Sequence, residues 1–179
     1  MTTLNKKIPK RFENAKWDDV APEIKSLVEN IRQTRRGIYL YGPSGVGKTH
    51  VTYAIKNYLE EREQIKIPVW VENTTNLLQS IKVDFDRAPQ DREWMADRMI
   101  NYSGIVVIDD LGAEKVTDWV KETLYMIINN RYEEMRPVIV TSNLTLDELS
   151  TQLGDRIPSR LAGMCDIIEI KGSDRRTVS

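Results

Sequence analysis

The chain has 179 residues, 40% hydrophobic and 30% charged, with 9 Gly and 7 Pro, which excludes a fibrous or disordered polymer and suits one globular domain. No apolar run approaches the ~20 residues of a bilayer span, and the polar start MTTLNKKIPKRF lacks a secretory apolar segment, so the expected setting is the cytoplasm with no membrane partner. One cysteine, Cys165, and one histidine, His50, exclude an internal disulfide and a multi-cysteine zinc site, and a formal net charge of -1 leaves nucleic-acid attraction to local basic patches.

Those patches lie at the ends. Residues 1–36 carry nine Lys/Arg against five Asp/Glu, and residues 171–179 carry three against one. This divides the chain into a basic segment with a leading helix over 1–36, a core over 37–171 and a basic tail over 172–179. A solvated surface accounts for such ends as well as a binding role does.

In chain order, Pro22 followed by Ile24, Leu27, Val28 and Ile31 predicts a Pro-started amphipathic helix, which hands over at Gly37 to a strand over 38–41. The glycine-rich run Gly42-Pro43-Ser44-Gly45-Val46-Gly47-Lys48-Thr49 follows at once and fits G-x-x-x-x-G-K-[ST]. Val51, Ala54, Ile55, Tyr58 and Leu59 then fall at helical spacing, so the run joins a strand to a helix, the context its chemistry requires. Such a loop turns successive backbone N–H groups toward phosphate oxygens beside a helix N-terminus. Lys48 is placed to bridge phosphates and Thr49 to hold Mg²⁺ through its hydroxyl. The nucleotide-binding segment runs from Gly42 to His50; the side chains of His50 and Cys165 have no ligand set around them and are read as structural.

A second strand is expected over 67–71, a helix around Leu77, Leu78 and Ile81, and another from Trp94 through Met95 and Met99 to Tyr102. The apolar run Ile105-Val106-Val107-Ile108 predicts a strand buried on both faces, and it ends in Asp109-Asp110. A carboxylate at the C-terminal edge of a strand beside the phosphate loop suits the Mg²⁺ shell, which points to Asp109, and leaves Asp110 to orient the attacking water. A pair of turn carboxylates is the plainer alternative. Thr117 is the expected cap of a helix bearing Val120, Leu124, Ile127 and Ile128. A strand over 138–140, a capping box at Thr145 and Glu148, and a last strand over 167–170 complete the series. Five strands separated by helices predict an α/β fold, a mostly parallel sheet with helices on both faces.

These motifs, with Asp109-Asp110-Leu111-Gly112, Thr141-Ser142-Asn143, Gly154-Asp155-Arg156-Ile157-Pro158-Ser159-Arg160-Leu161 and the opening Ile8-Pro9-Lys10-Arg11-Phe12, stand in the order found in AAA+ ATPases of the DnaC/DnaI helicase-loader group. The sequence resembles that group from about residue 8 to residue 176. The resemblance implies a P-loop NTPase of three α/β/α layers that binds ATP with Mg²⁺. It implies that Asn143 is the sensor amide at the γ-phosphate or attacking water, and that Arg160, ahead of Arg156, is the arginine finger reaching a neighbouring subunit. From the residues alone, a surface ion pair explains both arginines equally well.

The implied partners are a replicative helicase, single-stranded DNA and further copies of the chain. Phe12, Trp17 and Val20 are candidates to flank the adenine, with core burial as the alternative. The segment 81–91, with Lys82, Phe85 and Arg87, lies where relatives contact single strands. Three departures stand out. Asp110 replaces a common Glu, which predicts slow hydrolysis; the chain starts almost at the ATPase core, as a compact version or a fragment without the amino-terminal helicase-gripping domain does; and Gly172-Ser173-Asp174-Arg175-Arg176 is followed by no helical lid. An IstB-like transposition helper and a non-hydrolysing ATP-binding interaction module are the alternative functions. A small-molecule kinase is disfavoured because Asn143 and Arg160 have no task there.

Overall fold

The structure, a computed structural model, describes residues 8–61, 66–91 and 94–172. The first seven residues of the basic segment, and the tail beyond Gly172 with Arg175 and Arg176, lie outside the described residues. In chain order the elements are α1 (Pro22–Thr34), β1 (Gly37–Tyr41), α2 (Lys48–Glu61), β2 (Val69–Asn73), α3 (Thr74–Asp86), α4 (Met95–Ile100), β3 (Ile105–Leu111), α5 (Asp118–Glu133), β4 (Val138–Ser142), α6 (Leu146–Leu153), α7 (Arg156–Met164) and β5 (Cys165–Glu169). The sheet order is β2-β3-β4-β1-β5 and every pairing is parallel, so the mostly parallel expectation becomes a wholly parallel sheet.

A parallel sheet needs cover on both faces, and alternate residues of each strand find it. Ile105 and Val107 of β3 pack with Ile24, Val28 and Ile31 of α1 and Ala54, Ile55 and Leu59 of α2. Val106 and Ile108 point the other way, toward Leu77 and Ile81 of α3, Leu124 and Ile128 of α5, and Leu161 of α7. Three α/β/α layers result. Among the described residues no helix is long and apolar enough to cross a membrane, and none follows β5.

Several boundaries differ from the sequence expectation. Strand β2 runs to Asn73, whose side chain then accepts N–H bonds from Thr75 and Asn76 and starts α3 without a loop. Helix α4 is short: Trp94 precedes it with φ 52°, and Tyr102 lies past its end. Helix α7 was not anticipated as a helix, yet Ile157, Pro158, Leu161 and Met164 bury one face of it and it runs straight into β5, which therefore begins at Cys165. The thiol of Cys165 is buried and pushed up by that burial, in keeping with a structural residue.

The largest polar surprise is Arg131 on α5, with 0% exposure. Its guanidinium donates to the carbonyls of Met99 and Tyr102 at 3.0 and 3.1 Å and of Gly104 and Pro137 at 2.9 and 3.1 Å. One side chain thus joins the end of α4 to the entries of β3 and β4. Burial lowers its pKa to about 10.

Candidate nucleotide and metal site

Because all five strands run the same way, their C-terminal ends share one edge of the sheet, and the loops after β1, β3 and β4 meet there. The loop after β1 is the glycine-rich run. Gly42 (φ 151°) lies against the chain after β5, where a Cβ would stand 2.3 Å from the Ile170 carbonyl oxygen, and Gly47 (φ 100°) makes the left-handed turn into α2. Val46, 3% exposed, anchors the loop in the core. The N-terminus of α2 then faces a cavity of about 380 Å³, whose walls include Arg11, Phe12, Ser44, Gly45, Gly47, Lys48, Thr49, His50, Asp110, Thr141 and Asn143.

Lys48 is 7% exposed. Its ammonium donates to the carbonyls of Gly42 and Pro43 at 2.7 and 2.8 Å and to Asn143 Oδ1 at 2.7 Å, an acceptor for each of its three protons. Asn143 donates in turn to Asp110 Oδ1 at 3.2 Å. The amide therefore accepts from the loop lysine and donates to the strand carboxylate at once.

The two aspartates need a special backbone to reach one site. In a regular strand successive side chains point to opposite faces. Strand β3 breaks that alternation: Ile108 pairs with Val140 but Leu111 pairs with Ser142, so Asp109 and Asp110 together oppose Thr141. Asp110 takes φ 62°, in the left-handed region that Asp tolerates better than most residues. Asp109 accepts from the Thr49 hydroxyl at 3.0 to 3.1 Å while Asp110 lines the cavity itself. Burial pushes the Asp109 carboxyl above its ordinary value and the nearby Asp110 charge adds to the rise, against hydroxyl donation from Thr141 and Thr49 and the Lys48 charge. A cation between Thr49 and Asp109 offsets that burial cost, so the donor set fits Mg²⁺.

The structure thus brings Gly42 to His50, Asp109, Asp110 and Asn143 to one edge. It places Arg160 elsewhere: on α7, donating from Nε to Asn129 Oδ1 at 2.8 Å and lying 5.0 Å from the Tyr132 ring centre, away from the walls of this cavity. Arg156 stacks on Tyr125 at 3.8 Å. Of the adenine candidates, Phe12 lines the cavity and stacks on Tyr53, whereas Trp17 stacks on Tyr58 and Val20 is 3% exposed in the core. Sequence reasoning gave no role to Arg11 at the cavity wall, to Thr141 or to Thr74; Arg11 and Thr141 stand in motifs quoted for the resemblance, and Thr74 had no signal.

The IstB-like ATP binding protein family matches residues 19–178. The chain belongs to this family. It is 30% identical over 158 residues to the replicative helicase loader DnaI of Bacillus subtilis (strain 168), covering 79% of this chain and 48% of that one. The crystal structure of the DnaC helicase loader matches with TM-score 0.79 at 27% identity, over 91% of this chain and 100% of that chain. The crystal structure of DnaI matches with TM-score 0.76 at 25% identity, over 94% of each. This ATP-binding family member therefore has the AAA+ P-loop fold and is homologous to the DnaI and DnaC loaders. It spans about half the length of the curated relatives it matches.

Proposed function

We propose that the chain binds ATP with Mg²⁺ and hydrolyses it slowly, as a helicase-loader-like switch whose active form is an oligomer on single-stranded DNA. The observation that carries this reading is the unbroken contact series Lys48, Asn143, Asp110, with Thr49 against Asp109 beside it. Phosphate oxygens compete for the Lys48 ammonium with the two loop carbonyls that hold it, and a charged acceptor is the stronger partner. Thr49 and Asp109 would hold Mg²⁺, which when bound neutralises charge developing on the phosphate oxygens. Asp110 is the base for the attacking water, and Asn143 orients that water or the γ-phosphate through the amide that now spans Lys48 and Asp110. The short side chain of Asp110 supports slow turnover.

Arg160 supports the oligomeric part of the proposal, since a guanidinium braced on a helix away from its own cavity suits a neighbour's. For DNA, the supporting feature is the end of α3, where Phe85 is 53% and Val83 42% exposed among Lys82 and Arg87. A replicative helicase partner is supported by the similarity to the replicative helicase loaders DnaI and DnaC. An IstB-like transposition helper shares this site and differs in partner; the family description fits both, and the loader relatives favour the first.

The test is ATP turnover with and without single-stranded DNA in the parent, Lys48→Ala, Arg160→Ala and a mixture of the two variants. Each variant alone is expected to lose about 10²-fold or more, and the mixture to recover activity at sites built from one subunit's Lys48 and another's Arg160. A parent that binds ATP and never turns it over moves the assignment to a binding module. Unchanged single-strand affinity in Phe85→Ala, Arg87→Ala removes the DNA contact from α3.

A further inference from the structure

The bulge in β3 leaves backbone groups that the strand ladder no longer serves, at the point where both carboxylates must be held. Two buried threonines meet it from opposite sides. Thr141, 1% exposed on β4, accepts the Asp110 N–H at 2.8 Å through its hydroxyl and donates the hydroxyl proton to Asp109 Oδ1 at 2.7 Å. Thr74, 0% exposed at the start of α3, donates to the Asp109 carbonyl oxygen at 2.9 Å. The Thr141 hydroxyl is therefore in contact with both bulged residues. It fixes the backbone of one and the carboxylate of the other.

We propose that Thr141 is the positioning residue of the metal and hydrolytic site: its hydroxyl sets Asp109 for Mg²⁺ and holds Asp110 in the left-handed conformation that turns its carboxylate into the cavity. This rests on the nucleotide-binding reading above. Valine, with the same branched shape, cannot accept the Asp110 N–H or donate to Asp109, and alternation along β3 then favours swinging one carboxylate off the site. Serine keeps both bonds. Neither change removes one of the Lys48 bonds to Gly42, Pro43 and Asn143, so contact with the phosphates in the absence of metal is a separate quantity from the metal-dependent part.

The experiment titrates Mg²⁺ into the full chain with a non-hydrolysable ATP analogue, reading analogue affinity by calorimetry, for the parent, Thr141→Val and Thr141→Ser, with ATP turnover measured alongside. In Thr141→Val the metal-free affinity stays within about twofold of the parent, while the Mg²⁺ needed for half-maximal effect rises about tenfold and kcat falls about 10- to 100-fold, the range for residues that orient metal ligands. KM changes less than kcat. Thr141→Ser recovers both. Thr141→Cys, whose thiol is a weak donor, replaces the valine variant if that one does not fold, with the same expectation. Parent-like Mg²⁺ dependence in Thr141→Val or Thr141→Cys overturns the proposal, and so does a serine variant as impaired as the valine one, because that assigns Thr141 to packing alone. A parent that never hydrolyses ATP ends the hydrolytic reading, and the Mg²⁺ titration still decides on Thr141.

Discussion

The two ends of β3 hold buried charge in opposite ways. At its entry, Arg131 is enclosed by four carbonyl oxygens drawn from α4, β3 and β4, partners that belong to the fold and do not leave. At its exit, Asp109 and Asp110 are held by threonine hydroxyls and an asparagine amide, neutral groups like those carbonyls, with the Lys48 charge nearby offsetting the carboxylates only in part. Burial works against the charged form in both places, lowering the Arg131 pKa and raising that of Asp109. At the entry the four terminal N–H groups of the guanidinium have fixed acceptors and Nε has none among the described residues, whereas the exit opens on a cavity where a ligand can supply the missing partner.

The largest test of that contrast is Arg131→Met. It keeps much of the buried volume but takes the guanidinium from four carbonyls, of which that of Met99 keeps the Tyr102 N–H at 3.4 Å, and the expected loss is about 3–5 kcal/mol of unfolding free energy, read from urea denaturation. Nucleotide affinity of the fraction that remains folded should be unchanged, because Arg131 is not among the residues lining the site. Parent-like stability in this variant, or a selective loss of nucleotide binding, breaks the comparison.

Asp109→Asn tests the other end and has the opposite sign. Removing a buried carboxylate that lacks a full counter-charge should stabilise the nucleotide-free chain, on the order of 1 kcal/mol, while abolishing the Mg²⁺-dependent gain in ATP affinity. The pH dependence sharpens this. Asp109 holds its proton more tightly folded than unfolded, so its contribution is fully present below the ordinary value of 3.8 and is lost as pH rises through the raised value. Glu114, also raised by burial, acts in the same direction. The stability gap between Asp109→Asn and the parent should therefore widen from pH 4 toward neutrality in the absence of metal. A gap that is flat or narrows over that range means that Asp109 is already balanced within the apo chain.

How far these ends could be read from the sequence follows from the same physics. Phosphate binding by a glycine-rich loop depends on local backbone freedom, so Gly42 to Thr49 announced itself as a contiguous motif. The run 105–108, apolar at every position, marked a strand buried on both sides. Arg131 gave no signal, since an arginine in α5 looks like any solvated helical cation until the strand entries close around it. The bulge was equally silent: both aspartates were assigned to one site, which period-two alternation forbids, and only the register against Thr141 and the φ of Asp110 reconcile them. Helix α7 was missed: a proline argues against a helix interior, but Pro158 sits in the first turn, where a missing N–H costs little. Helix α4 starts one residue late because Trp94 has a left-handed backbone, and it ends at Ile100, with Asn101 as its C-cap, two residues before Tyr102.

The smallest effect concerns the backbone of Asp110, and it separates conformation from charge. Asparagine favours the left-handed region about as well as aspartate, and its amide still has an oxygen to accept from Asn143, so Asp110→Asn should lie within about 0.5 kcal/mol of the parent in stability. Alanine resists that region by roughly 1–2 kcal/mol, and glycine enters it freely at a cost in chain entropy, so Asp110→Ala should be the less stable of that pair. Asp110→Asn, Asp110→Ala and Asp110→Gly should all lose hydrolysis, since none retains the base. If denaturation midpoints instead show alanine as stable as asparagine, the bulge is imposed wholly by Thr141 and Thr74, and residue 110 supplies only a carboxylate. If alanine is clearly weaker, the aspartate itself helps form the turn that presents it, and its preference over the longer glutamate has a conformational cause as well as a catalytic consequence.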